Sequence, residues 1–288
     1  VLVVDDSALI RQMLTRAIGL DPGIDVVGVA KNGVEAIEKA RTLSPDVITL
    51  DIEMPELNGL EALPFLNKAS FARVLVLSSL DDADTTYQAL ANGAVDFIAK
   101  PTGGFATSLS DLSETLLKKI KVAYRIDPSK RLALQTTLPN RPLARSGDTP
   151  PEVVASGPGR PVRKPARVVA VAASTGGPPA LERLFAGLTR DLPATYLVVQ
   201  HLPSGFTESL VRRLQRVTDI EVAIARDGER VDAGVAYLAP HGTHTRLLWE
   251  QGESPVLSCE RGPAIHGVRP AADPLFMSVA DVGGRRAM

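Results

Sequence analysis

Two sets of residues along this 288-residue chain have the types and spacing to do chemistry, and both sit where apolar runs stop. In the first set, Asp5-Asp6 follows the run 1–4, Asp51 follows 47–50, Ser78-Ser79 follows 74–77 and Lys100-Pro101 follows 95–99. Gathered on one rim, they would offer three carboxylates, a hydroxyl and an ammonium. Three such acids repel one another unless a hard cation joins them, and Mg²⁺ takes carboxylate and carbonyl oxygens while retaining water. That assembly suits phosphoryl transfer onto a carboxylate. In the second set, Ser174 follows the run 168–172 and His201 follows 196–200, the parts of a nucleophile and its general base.

The elements between these residues must bring them together. Helical patterns at 8–18, 34–43 and 85–91 separate the first four apolar runs. Strand–helix alternation of this kind implies a parallel sheet with helices on both faces, and ligands of such sheets sit at the carboxyl ends of the strands. Taken singly, each residue has a plainer reading: Asp5 or Asp6 could cap the helix beginning near Ala8, and Lys100 could be a solvated surface lysine. It is the recurrence at successive strand ends that favours a site.

The second set repeats the logic. A strand over 168–172 leads into Ala173-Ser174-Thr175-Gly176-Gly177, a tight loop, then a helix over 178–188 with Pro178 well placed in its first turn. A strand over 196–200 ends at His201, and a helix follows over 206–217. Shorter strands are expected at 221–225, 235–239 and 246–249. The glycines allow backbone N–H groups to approach a substrate, and a helix N-terminus adds partial positive charge. Acyl transfer is the sharper reading. A glycine-rich turn between strand and helix also serves to bind phosphate or simply to turn the chain. His241 and His244 lie in a Pro-Gly loop without a third ligand at useful spacing, so a surface loop is favoured over a metal pair.

The first stretch resembles a response-regulator receiver domain, carried by Val-Asp-Asp-Ser (4–7), Asp-Ile-Glu-Met-Pro-Glu-Leu-Asn-Gly (51–59), Ser-Ser (78–79), Gly-Ala-Val-Asp-Phe (93–97) and Lys-Pro (100–101). The resemblance implies Asp51 as phospho-acceptor, with Mg²⁺ held by Asp5, Asp6, Asp51 and the backbone carbonyl of Glu53. It further implies that Ser78 bonds the phosphoryl group, that Lys100 pairs with it, that Phe97 takes the aromatic switch position and that the Lys100–Pro101 peptide is cis.

The second stretch resembles the catalytic domain of the chemotaxis protein-glutamate methylesterase family. The matching pieces are Ala-Ser-Thr-Gly-Gly (173–177), Gln-His-Leu-Pro-Ser-Gly-Phe-Thr (200–207), Asp-Gly-Glu-Arg-Val (227–231), Tyr-Leu-Ala-Pro (237–240), Gly-Pro-Ala (262–264) and Arg-Pro (269–270). This implies Ser174 as nucleophile, His201 as general base, and backbone amides around Thr175 and Gly176 as the oxyanion site, with no cofactor there. The implied activity is hydrolysis of glutamyl methyl esters on chemoreceptors and deamidation of certain receptor glutamines. The implied partners are chemoreceptor cytoplasmic domains and a chemotaxis histidine kinase as phosphodonor. The family's triad acid lies in a Gly-x-Gly-x-Asp-Gly turn after one more strand, and the chain stops at Met288 before reaching it. Asp281 has the right chain order but reads as a helix end, and it is declined together with Asp273 and Asp227. His266 has no evident partner.

The expected fold is therefore a doubly wound five-stranded α/β receiver over 1–123, a Pro/Arg-rich flexible linker over 124–166 and a second doubly wound α/β hydrolase domain over 167–288, incomplete at its C-terminus. A net charge of −1 gives no global attraction to nucleic acid or anionic membrane. After residue 167 no basic helix-turn-helix pattern speaks for DNA, which leaves a binding-only output domain as the competing class. One cysteine, Cys259, rules out an internal disulfide framework; it reads as a small buried hydrophobe and suits a reducing, cytoplasmic setting. No apolar stretch approaches the ~20 residues of a membrane helix. A start at Val1 in mid-strand shows no signal peptide and is read as a fragment's beginning.

Overall fold

The computed structural model describes residues 1–79, 83–100, 107–127, 163–249 and 254–288, without the side chains of 107–112. Most of the expected linker, and the Lys100–Pro101 peptide, lie outside the described residues. The chain divides into two compact units, residues 1–138 and 139–288.

The first unit alternates β1 (Leu2–Val4), α1 (Ala8–Ile18), β2 (Gly28–Ala30), α2 (Gly33–Leu43), β3 (Val47–Asp51), α3 (Gly59–Ala69), β4 (Arg73–Ser78), α4 (Ala83–Ala91), β5 (Asp96–Ala99) and α5 (Thr107–Tyr124). The five strands are parallel in the order β2-β1-β3-β4-β5. Because successive strand side chains face opposite ways and both faces are covered, β1 and β3 are buried along their whole length. This is why they read as unbroken apolar runs. Val1, Val3, Val47, Leu75 and Leu77 pack with Leu14 and Ile18 of α1 and Leu116 and Ile120 of α5. The strand order reverses between β1 and β3, and Asp5 and Asp51 leave those neighbouring strands at that reversal.

The second unit holds β6 (Arg167–Ala173), α6 (Gly177–Ala186), β7 (Ala194–Gln200), α7 (Phe206–Val217), β8 (Glu221–Ile224), β9 (Val235–Leu238), β10 (His244–Leu248), β11 (Val256–Glu260) and α8 (Ala272–Gly283). Four parallel strands run in the order β6-β7-β9-β8, and β10 and β11 form a separate antiparallel pair. Leu197, Val199, Tyr237, Leu247, Leu257, Leu275 and Val279 share one core. Ser278 Oγ accepts from Leu247 N at 2.9 Å and fastens α8 to β10. The strand over 168–172 was expected to be buried, yet of those five residues only Val168 is. β6 is hydrogen-bonded to β7 on one side, and on the other Ala170 N donates to Met288 O and Met288 N to Val168 O, both at 3.0 Å.

Candidate active site and acidic cluster

In the first unit, Ser7 caps α1: its Oγ accepts from Ile10 N. Capping by Ser7 leaves the two preceding carboxylates for other work, which decides against the reading in which Asp5 or Asp6 is the cap. Asp5 is fully buried and Asp6 exposed. Arg11, one turn into α1, donates through Nη1 to the backbone carbonyls of Asp5 (2.7 Å) and Asp6 (2.9 Å) and so fixes the turn that presents them. Gly59 permits a close approach on the other side, since a Cβ there would lie 1.9 Å from the Asp51 carbonyl oxygen.

Carboxylate oxygens of Asp5, Asp6 and Asp51 come within 4.8 Å of one another. The Lys100 ammonium, just beyond β5, lies 2.7 Å from Asp51 Oδ1 and 3.4 Å from Asp5 Oδ2. Glu53 N–H donates to Asp51 Oδ1 at 3.3 Å, which keeps the Glu53 backbone beside the cluster. Asp51 Oδ2 is buried and receives no hydrogen bond. Burial, assisted by the charge of Asp5, pushes the Asp51 carboxyl up to about 6 against the opposing pull of Lys100. Burial also raises Asp5. Burial alone would lower Lys100, but its hydrogen bond to Asp51 and the two negative charges outweigh it, and the ammonium is held above its ordinary value. Three carboxylates against one ammonium, with an orphaned buried oxygen, form a donor set that fits a hard divalent cation.

Ser78 and Phe97 stand on the adjoining strands. Ser78 is the last residue of β4; its Oγ accepts from Thr86 Oγ1 (2.5 Å) and donates to Ser79 O (3.0 Å), while its carbonyl accepts from Lys100 N (2.7 Å). Phe97 is buried on β5, edge-on to Tyr87 with centroids 6.5 Å apart. The Lys119 ammonium lies 5.4 Å from the Phe97 ring centroid and 2.7 Å from Asp96 Oδ2.

In the second unit, the β6–β7 register pairs Ala173 with Gln200, and His201 N donates to Ala173 O at 3.2 Å. The next residue of each strand is then Ser174 and His201, which leave the sheet side by side. Ser174 Oγ stands 3.1 Å from His201 Nδ1. Behind Ser174, Thr175 and Gly176 lead into α6. Gly176 occupies the left-handed region at φ 74° and caps the helix without a side chain, with Pro178 in the first turn. The β7–α7 connection repeats the device with Gly205 at φ 84°. A hydroxyl, an imidazole and a helix N-terminus that carries partial positive charge thus converge at one sheet edge. The arrangement is competent for attack on an acyl carbon.

The remaining candidates resolve differently. His244 was expected in a surface loop, but it lies on β10 and is 5 % exposed. Its Nδ1 accepts from Ala271 N (3.2 Å), so its Nε2 donates to Pro263 O (2.9 Å). Both nitrogens serve the backbone. A buried histidine satisfied in this way cannot be told from a loop histidine by its neighbours in sequence. His241 Nδ1 faces Leu202 O at 2.9 Å, which together with His244 argues against a metal pair. His266, expected without a partner, has Nε2 3.9 Å from Asp273 Oδ2 on the exposed surface. Asp227 accepts from Cys259 N, and Asp281 is exposed on α8. Cys259 is half-buried, not fully so; burial pushes its thiol up, away from a reactive thiolate. Reading along the sequence missed Arg11 and gave no role to Gln200, whose carboxamide joins the Ser174 and His201 backbones. The only signal for Gln200 was its place before His201.

A receiver-type acidic rim in one unit and a serine–histidine pair in the other describe a two-module, phospho-acceptor-coupled hydrolase class. Residues 1–106 match the response regulator receiver domain model, and residues 169–288 match the CheB methylesterase model. A protein-glutamate methylesterase/protein-glutamine glutaminase of Pyrococcus horikoshii is 42% identical over 291 residues, covering 100% of this chain and 75% of the relative. One of the same name from Thermotoga maritima is 41% identical over 284 residues, covering 98% of this chain and 77% of the relative. The crystal structure of the response regulator domain of Thermotoga maritima CheB is 51% identical, covering 44% of this chain and 96% of that one, with a TM-score of 0.41. The chain belongs to the CheB protein-glutamate methylesterase family.

Proposed function

We propose that this protein is a phosphorylation-gated hydrolase that demethylates glutamyl methyl esters on chemoreceptor cytoplasmic domains and deamidates certain receptor glutamines, in sensory adaptation. The observation that carries the reading is the 3.1 Å contact of Ser174 with His201 at in-register strand ends. Its setting in a chain 42% identical to a protein-glutamate methylesterase supports the same reading. Ser174 Oγ attacks the ester carbonyl while the facing His201 nitrogen takes its proton. The oxyanion is received at the Thr175–Gly176 backbone, and methanol leaves with the proton returned by His201. Water, deprotonated by His201, then hydrolyses the glutamyl-enzyme and regenerates Ser174. With glutamine, the leaving group is ammonia.

The receiver supplies control. Asp51 accepts the phosphoryl group from a histidine kinase. Asp5, Asp6 and Asp51, with the Glu53 carbonyl, hold Mg²⁺, which when bound offsets the charge of the phosphoryl group and its acceptor. Lys100 and Ser78 bond the phosphorylated carboxylate, and Phe97 responds to it. Residues 1–123 form this receiver and 167–288 the hydrolase, with 124–166 linking them, in a cytoplasmic protein. A receptor domain bearing glutamyl methyl esters, mixed with the protein, should release methanol, and faster with acetyl phosphate and Mg²⁺. No methanol with either addition would overturn the reading. Among the described residues no helix is long and apolar enough to cross a membrane.

A further inference from the structure

We infer that Gln200 is the positioning residue that sets the geometry of the Ser174–His201 pair; the inference rests on the reading of those two residues as nucleophile and base. Gln200 ends β7 and is only 5 % exposed. Its Nε2 donates to the backbone carbonyl of Ser174 (3.0 Å) and to that of His201 (3.2 Å). Both partners are carbonyl oxygens, which only accept, so the NH₂ face of the carboxamide must be the one turned toward them. A single planar group therefore ties the first peptide beyond β6 to the first beyond β7, where the sheet's own ladder has ended.

The Ser174 carbonyl is held twice, since Gly177 N–H also donates to it at 2.8 Å. With both lone pairs engaged, the plane of the Ser174–Thr175 peptide is fixed. A trans peptide points its N–H opposite to its C=O. The contact that anchors Ser174 thus also aims the Thr175 N–H, the donor expected to meet the developing oxyanion.

The other end of the carboxamide shows how tightly the group is confined. Gln200 Oε1 is buried without a hydrogen-bond partner, and it lies against Gly177, where a Cβ would come within 1.8 Å of it. A buried carbonyl without a donor is unfavourable. A methionine of similar length would avoid that penalty but would lose both donor contacts. Gly177 is then a glycine because the strut needs the room, in addition to the helix start it forms.

The test is the steady-state kinetics of methanol release from a methyl-esterified receptor domain by the full-length protein. Gln200→Met should lower kcat about 100-fold, the scale of a misplaced reacting group. KM should stay within about twofold, and the apparent pKa of the kcat/KM profile should not move, because the imidazole is displaced and not electronically altered. A kcat within twofold of wild type in folded Gln200→Met, with Ser174→Ala inactive, overturns the inference alone. An active Ser174→Ala overturns the underlying reading of the site instead. If Gln200→Met does not fold, a cycle of Gly177→Ala with Gln200→Ala decides. Gly177→Ala should reduce kcat at least tenfold in wild type and by a clearly smaller factor beside Gln200→Ala, whereas equal factors in both backgrounds contradict the strut.

Discussion

The Lys100 ammonium sits 2.7 Å from Asp51 Oδ1 while the buried Asp51 Oδ2 receives no hydrogen bond. One carboxylate thus carries an oxygen paired with lysine and a bare one, within a cluster shared with Asp5 and Asp6. Acetyl phosphate with Mg²⁺ should label the protein at Asp51, and Asp51→Ala should abolish labelling. Lys100→Ala should retain the label but lose the rise in hydrolysis, since the charge that senses the phosphoryl group is gone. Persistent labelling of Asp51→Ala, followed by mass spectrometry, would show another acceptor.

The raised Asp51 carboxyl makes a pH prediction with a definite sign. Its folded value, about 6, lies above the 3.8 of an ordinary aspartate. The folded state therefore binds this proton more tightly. The stability it contributes is full below pH 4 and is lost as pH rises through 6, a difference on the order of 3 kcal/mol. Without metal, thermal melting of the receiver should fall between pH 4 and pH 7; Mg²⁺ should restore it at pH 7, and Asp51→Asn should flatten the profile. An Asp51→Asn profile as steep as wild type contradicts this assignment.

Gating is a separate claim. Removing residues 1–123 from the full-length protein should raise basal methanol release if the unphosphorylated receiver represses the Ser174 site by a population shift. An unchanged or lower rate in a folded truncation would exclude repression.

Behind the serine–histidine pair, Arg213 of α7 binds the buried Glu182 of α6, a contact between the helices that follow Ser174 and His201. Glu182→Ala should destabilise the hydrolase unit by about 3 kcal/mol in urea titrations, because it leaves a partly buried guanidinium uncompensated. Glu182→Leu with Arg213→Leu should lose far less, and equal losses would show the pair to be immaterial.

The strand ends of the first unit were legible because a parallel sheet buried on both faces leaves unbroken apolar runs, as in β1 and β3, and each such run stops at a polar residue. The fifth strand of the first unit came with the receiver resemblance and not from an apolar run: β2 has only three residues, of which Ala30 alone is buried. Three things could not be read. The pairing of β6 with Met288 joins residues far apart in the chain and is not set by composition. The burial of His244 depends on Ala271 and Pro263, each 19 or more residues away. The role of Gln200 depends on the β6–β7 register, which one strand alone does not contain.

The central claim, that Ser174 and His201 act as one hydrolytic unit, is tested most directly by methanol release from methylated receptor with Ser174→Ala, His201→Ala and the double variant. Each single change should reduce kcat by at least about 10³-fold and the double change by no more than either alone, since nucleophile and base fail together. Undiminished release by Ser174→Ala, or losses that multiply in the double variant, would contradict it.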